Sequence, residues 1–480
     1  MSATPRVIPI QPAGDPRQPP PLFEPRRKVY ARAVSGWFNR WRWVMVWATQ
    51  LVFYGLPWLS WNGRQAVLFD LDARRFYLPG LVLYPQDFIY LSALLVLSAF
   101  ALFFFTAVAG RMWCGFACPQ TVYTEIFMGI ERRIEGDRIA RMRLDQAPWS
   151  ARKLARKGAK QAAWIALSLW TGFTFVGYFT PIRELAASAT AFGLGPWESF
   201  WVFFYGLATY GNAGFLREQV CRTMCPYARF QGSMMDKDSL IIGYDSRRGE
   251  SRGSRPRRAD PKALGLGDCI DCTLCVQVCP TGIDIRNGLQ MECIGCAACI
   301  DACDGVMDKM GYERGLIRYA TLNGLSEGLG KAQMWRRVLR PRVLVYGALL
   351  AAVGVAFVTS LALRDPLRVN VVRDRGVMAR LVEDGAVENV YRVLVMNATE
   401  APQRYRIAVS GLPGLAVAGD TALELAPAAE RSIPVSVRLP AEAAASLNDR
   451  TQHIRFEVTQ LADTGEAPTV QEASTFILPR

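Results

Sequence analysis

Two cysteine runs constrain this chain more than anything else in it. Cys269, Cys272, Cys275 and Cys279, followed by Pro280, spell C-x2-C-x2-C-x3-C-P, and Cys293, Cys296, Cys299 and Cys303 repeat the spacing 24 residues later, with Asp304 where the proline would stand. Three thiolates two residues apart on a tight loop can take three corners of an iron–sulfur cube, and the fourth thiolate of each run reaches the other cube. The expected sets are Cys269, Cys272, Cys275 and Cys303 on one [4Fe–4S] cluster, and Cys293, Cys296, Cys299 and Cys279 on a second. Zinc ribbons also use C-x2-C pairs, yet they need four ligands per site and no crossed third spacing. Only one of the 480 residues is histidine, so a His-rich zinc centre, a bis-His haem or a His-based triad is hard to build. Metal chemistry here must run on thiolates.

The other four cysteines form two C-x3-C-P pairs, Cys114 with Cys118 and Cys221 with Cys225, offset by 107 residues and followed by Pro119 and Pro226. The offset suggests a duplicated unit, with amphipathic stretches at 121–134 and 228–239. A following proline biases Cys118 and Cys225 away from helix and suits the first position of a new one. Paired thiolates could hold a soft ion such as Cu(I), hold a third cluster as a four-cysteine set, or cycle between dithiol and disulfide. Simple packing of buried cysteines is the plain alternative.

Hydrophobic residues make up 51% of the chain and its mean hydropathy is +0.11, which fits a mixed membrane and soluble protein. Five charge-free apolar stretches approach the ~20 residues that cross a bilayer: 43–63, 88–110, 161–182, 199–216 and 343–363. Basic residues number eight before the first stretch, three in 64–87, eleven in 111–160 and one in 183–198. That asymmetry predicts a cytoplasmic amino terminus and, with five spans, a periplasmic carboxyl terminus. From residue 364 onward there are 13 basic and 15 acidic residues, so the net charge of +14 is topological. It argues for lipid rather than nucleic acid as the partner of the arginines at 247–258. All twelve cysteines then fall at or inside the cytoplasmic boundary, where disulfides are rare. Asp87, Glu198, Arg217 and Glu218 read as flanks that reach headgroups. The first 25 residues carry eight prolines and no short apolar signal core, so they read as a disordered tail.

The expected fold is a multidomain membrane protein: a five-span α-helical bundle, a cytoplasmic α+β ferredoxin-like insert with two clusters, and a C-terminal all-β Ig-like sandwich. The expected divisions are a Pro-rich tail (1–42), a four-span membrane domain (43–245), the two-cluster domain (246–341), a fifth span (342–363) and the sandwich (364–480). Period-two alternation at Tyr391–Val393–Val395, Tyr405–Ile407–Val409, Val435–Val437 and Ile454–Phe456–Val458 predicts six or seven strands in the last of these. His453 lies in one of them and reads as an edge or solvent-facing side chain. Neither G-x-G-x-x-G after a strand nor a Walker A sequence occurs, so the electron source must lie outside the chain.

These residues resemble the cbb3-type cytochrome c oxidase accessory proteins, the CcoG/FixG/RdxA family. The stretches that carry the likeness are WCGFACPQTVYTEIFMGIERR (113–133), AGFLREQVCRTMCPYARFQGSMMDKD (213–238), the cysteine-rich 268–318, and 365–391 with its RDRG and VENVY. Maturation proteins of nitrate and nitrous-oxide reductases share the combination of C-x3-C-P pairs with two ferredoxin clusters. The resemblance implies a multi-pass inner-membrane protein that serves assembly of the oxidase as a cupric reductase, making Cu(I) from Cu(II). Copper would be held near Cys114, Cys118, Cys221 and Cys225. Implied partners are a cytoplasmic electron donor and the oxidase subunits or copper chaperones; a homodimer is compatible with the sequence. An electron conduit to a quinone or periplasmic partner, and a non-catalytic assembly scaffold, are the competing expectations.

Overall fold

The computed structural model describes residues 28–374, 379–382, 384–461 and 468–479. Residues 1–27 of the expected tail lie outside this range. Its remainder is tied down: Lys28 and Tyr30 both donate to the Asp145 carboxylate at 2.6 Å, and Arg32 N–H donates to Gln277 O at 2.8 Å. The first helix, Trp37–Gly55, already begins inside the stretch expected as tail.

Two helices among the described residues are long and apolar enough to cross a membrane. Phe88–Ala109 continues a short helical turn from Pro85, and Pro341–Ala362 packs beside it, with Tyr90 donating to Ser360 O at 3.2 Å. Their 22 residues give about 33 Å each, enough for a ~30 Å hydrocarbon core. Few residues along them are buried within the protein, and long apolar helices left exposed in this way suit association with a membrane.

The three other expected spans form helices with different limits. The first stops at Gly55 rather than 63 because Pro57 follows. Ala151–Val176 starts ten residues before 161 and carries Arg152, Lys153, Arg156, Lys157 and Lys160 in its first turns. Pro196–Thr209 is 14 residues long and widens into a π-helical segment, Tyr210–Leu216.

The segment between the first two helices, expected as a plain loop, folds into a three-stranded antiparallel sheet of Leu68–Asp70, Arg75–Leu78 and Leu81–Leu83. It packs on the C-terminal domain. Val82 and Tyr84 share a buried cluster with Met396 and Ala428, and Glu400 takes Arg64 at 2.5 Å, Trp61 Nε1 at 2.8 Å and Asn62 at 2.7 Å. Asp87, expected to reach headgroups, is instead buried and paired with Arg364 at 2.8 Å and Arg368 at 3.0 Å. Arg217 likewise pairs with buried Glu131 at 3.1 Å, and Glu218 is buried. A carboxylate taken out of water needs such partners.

The C-terminal domain is a sandwich of two antiparallel sheets. One has the order Ala416–Ala418, Glu430–Leu439, Val387–Asn397, Leu367–Arg373, with Arg380–Leu381 also pairing on Val387–Asn397. The other runs Ala422–Leu425, Gln403–Ser410, Thr451–Leu461, Thr469–Ile477. Nine described strands thus replace the expected six or seven, because the pieces at 380, 416 and 422 are only two to four residues long. Inward residues of both sheets, including Tyr391, Val437, Tyr405 and Phe456, form one core. His453 pairs in register with Thr475 and its side chain is exposed.

Candidate functional site

The two cysteine runs share a backbone design as well as a spacing. Asp271 and Thr273 in the first loop, and Gly295 and Ala297 in the second, all have φ between +56° and +69°, at positions 24 residues apart. Such a conformation is costly for a β-branched residue like Thr273. Short left-handed steps turn successive N–H groups toward one point and make an anion-binding nest of the kind that surrounds iron–sulfur sites. Helices start directly after them, at Leu274 and Ala298, with Thr273 and Ala297 as N-caps.

The fourth cysteines cross over. Cys269, Cys272, Cys275 and Cys303 line one cavity with Tyr244, Arg286 and Met307. Burial pushes Cys303 up to about 12, helped by the nearby charges of Cys275, Asp304, Cys269 and Cys272. Burial also raises Cys293 to about 12 and Cys299 well above the thiol range; Cys296 and Cys279 act on Cys293, and Cys296, Cys293 and Cys279 act on Cys299. Thiols so placed ionise only against a bound cation. All twelve cysteines are free of disulfides, and Cys272 alone is exposed. No three Cys, His, Asp or Glu side chains among the described residues close on a single ion.

The C-x3-C-P pairs assemble from distant sequence. Cys118 and Cys225 are extended, with ψ of 129° and 112°, and Pro119 and Pro226 open the helices Pro119–Glu135 and Pro226–Met234. Cys114 sits in the short helix Met112–Phe116, and Cys221 in the π-helical turn Val220–Met224. Burial is the main reason that Cys114 rises to about 11 and Cys221 to about 12; Cys118 and Cys225 add to both, and Cys114 adds to Cys221, so the four lie within electrostatic reach. Gln231, from the second repeat, donates to Cys114 Sγ of the first at 3.2 Å.

This cysteine group abuts the second cluster loop. Cys114 and Cys221 pack on Val278, Ile294, Cys296 and Ala298. A Cβ added to Gly115 would stand 2.5 Å from Gly295 O, and one on Gly295 2.9 Å from Arg111 O, so only glycines allow the two backbones to meet. Two arginines, missed from sequence except as ends of apolar stretches, face this junction. Arg42 is buried between Cys296 O, at 3.5 Å, and Glu125, at 3.3 Å. Arg111 donates to Met291 O, to Cys293 O at 3.2 Å and to Ala228 O at 2.9 Å.

Comparison with known proteins matches three stretches of the chain. A family model described as a 4Fe-4S dicluster domain matches residues 216–322, a 4Fe-4S binding domain matches 91–136, and the IG-like fold at the C-terminal of FixG matches 357–479. Nitrogen fixation protein FixG of Rhizobium meliloti is 41% identical, over 82% of this chain and 81% of its own. Protein RdxA of Cereibacter sphaeroides is 39% identical, over 88% and 91%. The chain belongs to the FixG/RdxA family. A FixG-related protein from Vibrio parahaemolyticus matches 24% of this FixG-family chain and 97% of its own, at 27% identity and a TM-score of 0.21. The protein carries two [4Fe–4S] clusters and is an iron–sulfur electron-transfer protein.

Proposed function

We propose that this chain takes electrons from a cytoplasmic donor and delivers them, one at a time, to copper at Cys114, Cys118, Cys221 and Cys225, converting Cu(II) to Cu(I) for assembly of a cbb3-type oxidase. The observation that carries the reading is the packing of Cys114 and Cys221 directly on the loop of Cys293, Cys296 and Cys299. When bound, the two clusters supply one-electron transfer without proton chemistry. Exposed Cys272 marks the side open to a donor, and the far loop abuts the substrate cysteines. Thiolates favour Cu(I) over Cu(II), which raises the copper potential and makes the step downhill.

Five spans, with amino terminus and cysteines on the cytoplasmic side and the sandwich in the periplasm, belong to this proposal. Two contacts support it. The start of the first helix donates from Phe38 N and Asn39 N to Asp301 of the cluster domain, at 3.2 and 2.7 Å. At the opposite end, the sheet of residues 68–83 joins the C-terminal sandwich. A five-span parity puts the two partners of each contact on the same side of the membrane.

A second reading, a conduit that passes electrons onward with no copper bound, draws on the match of a 4Fe-4S binding domain to residues 91–136, which include Cys114 and Cys118. Oxidation of chemically reduced protein by Cu(II), with and without Cys114→Ser and Cys221→Ser, separates them. Copper reduction requires the substituted protein to be slower; equal rates establish the conduit.

A further inference from the structure

The two cluster sites differ in the charges around them, and the difference points along the chain of sites. Near Cys269, Cys272, Cys275 and Cys303 the close cation is Arg286, and two carboxylates neutralise it: Asp284 at 2.7 Å and Asp271. Asp304 adds a further anion beside Cys303, its carboxylate held by Gly315 N–H at 2.9 Å. At the other site Arg42 is balanced by Glu125. Arg111 is not balanced: among the described residues no carboxylate lies within ion-pair distance of it, and its guanidinium is spent on backbone carbonyls, two of them (Met291 and Cys293) on the second cluster loop itself.

Arg111 also stands between that loop and both cysteine pairs, three residues before Cys114, and its charge acts on Cys293, Cys114 and Cys221 alike. Guanidinium keeps its proton at every accessible pH. A fixed cation next to a centre that gains negative charge on reduction stabilises the reduced form, more so where water is scarce.

We propose that Arg111 makes the Cys279, Cys293, Cys296 and Cys299 cluster the more easily reduced of the two, and so directs electrons from the exposed cluster toward the cysteine pairs. Each transfer moves one electron, supplied by a one-electron reductant on the Cys272 side, and no proton. The inference deepens the proposed electron path and rests on it, without requiring that the final acceptor be copper.

The test is a redox titration of the full-length protein, purified anaerobically with both clusters, followed by electron paramagnetic resonance. Iron content is measured first; protein without two clusters would fail the path itself, before any question of direction. With both present, Arg111→Gln should lower the midpoint potential of the second cluster and leave the first in place, while Arg111→Lys, which retains the charge, should keep most of the original gap. An unshifted second cluster in Arg111→Gln overturns the proposal. Should that variant lose the second cluster, Arg111→Met, which keeps the length and apolar stem of the side chain without its charge, is titrated in its place, and an unshifted second cluster there overturns the proposal equally.

Discussion

The eight ferredoxin cysteines and the four of the C-x3-C-P pairs are the same side chain in two different kinds of site. In the first kind, three ligands come from one loop, and left-handed residues 24 positions apart preshape both nests. In the second, Cys114 and Cys221 are 107 residues apart and come together on the second cluster loop, where the glycine contact at Gly115 and Gly295 and the Gln231 bond to Cys114 join separate segments. A site encoded locally resists distant change, whereas one encoded by packing fails when the packing does.

Four outcomes would break or sharpen that contrast. The largest is expected from Cys296→Ser, which should remove one whole cluster and reduce iron from about eight to about four per chain; retention of full iron would show that Cys296 is not a ligand. Gly115→Ala comes next. Its methyl would strike the Gly295 backbone, so it should slow oxidation by Cu(II) roughly 10–100-fold, as displaced supporting groups do at metal sites, while both clusters remain visible spectroscopically. A normal rate would mean the two loops need not touch.

Arg42→Ala is smaller in effect and structural in kind. It strands Glu125 in a buried site, a loss of about 3 kcal/mol, read as a lower thermal midpoint of the whole membrane-proximal unit; an unchanged midpoint would place solvent in that cavity. The smallest is expected from Glu400→Ala, which removes the acceptor of Trp61, Asn62 and Arg64. A cost on the order of 1 kcal/mol should appear as faster proteolysis between residues 60 and 84, with cluster signals unaltered. Altered cluster signals would mean the two ends of the molecule are coupled.

What was legible in the sequence follows the same division. The meeting of Cys303 with Cys269, Cys272 and Cys275 could be read because spacing limits what a short loop can reach, and the strands of the sandwich because inward positions such as Tyr391, Val393 and Val395 alternate strictly. The helix starts at Pro119 and Pro226 were readable from proline geometry. The small sheet at 68–83 was not, since its strands are three or four residues long and gain burial only against distant segments, the C-terminal domain and Tyr178–Phe179. The same holds for Asp87, whose partners Arg364 and Arg368 lie more than 270 residues away. Arg42 and Arg111 looked like span ends because nothing in one dimension distinguishes a charge facing headgroups from one facing a cluster loop. Asp304 looked like a departure from the proline of other ferredoxins; in the fold it holds Gly315 and leaves a negative charge at the first site.

The most direct test of the account is the metal content and cluster spectrum of anaerobically purified protein before and after one equivalent of Cu(II). The account predicts about eight irons per chain, with reduced clusters that Cu(II) oxidises in the native chain but only slowly in the doubly substituted Cys114→Ser, Cys221→Ser chain. About twelve irons, or oxidation at the same rate in both chains, would contradict it.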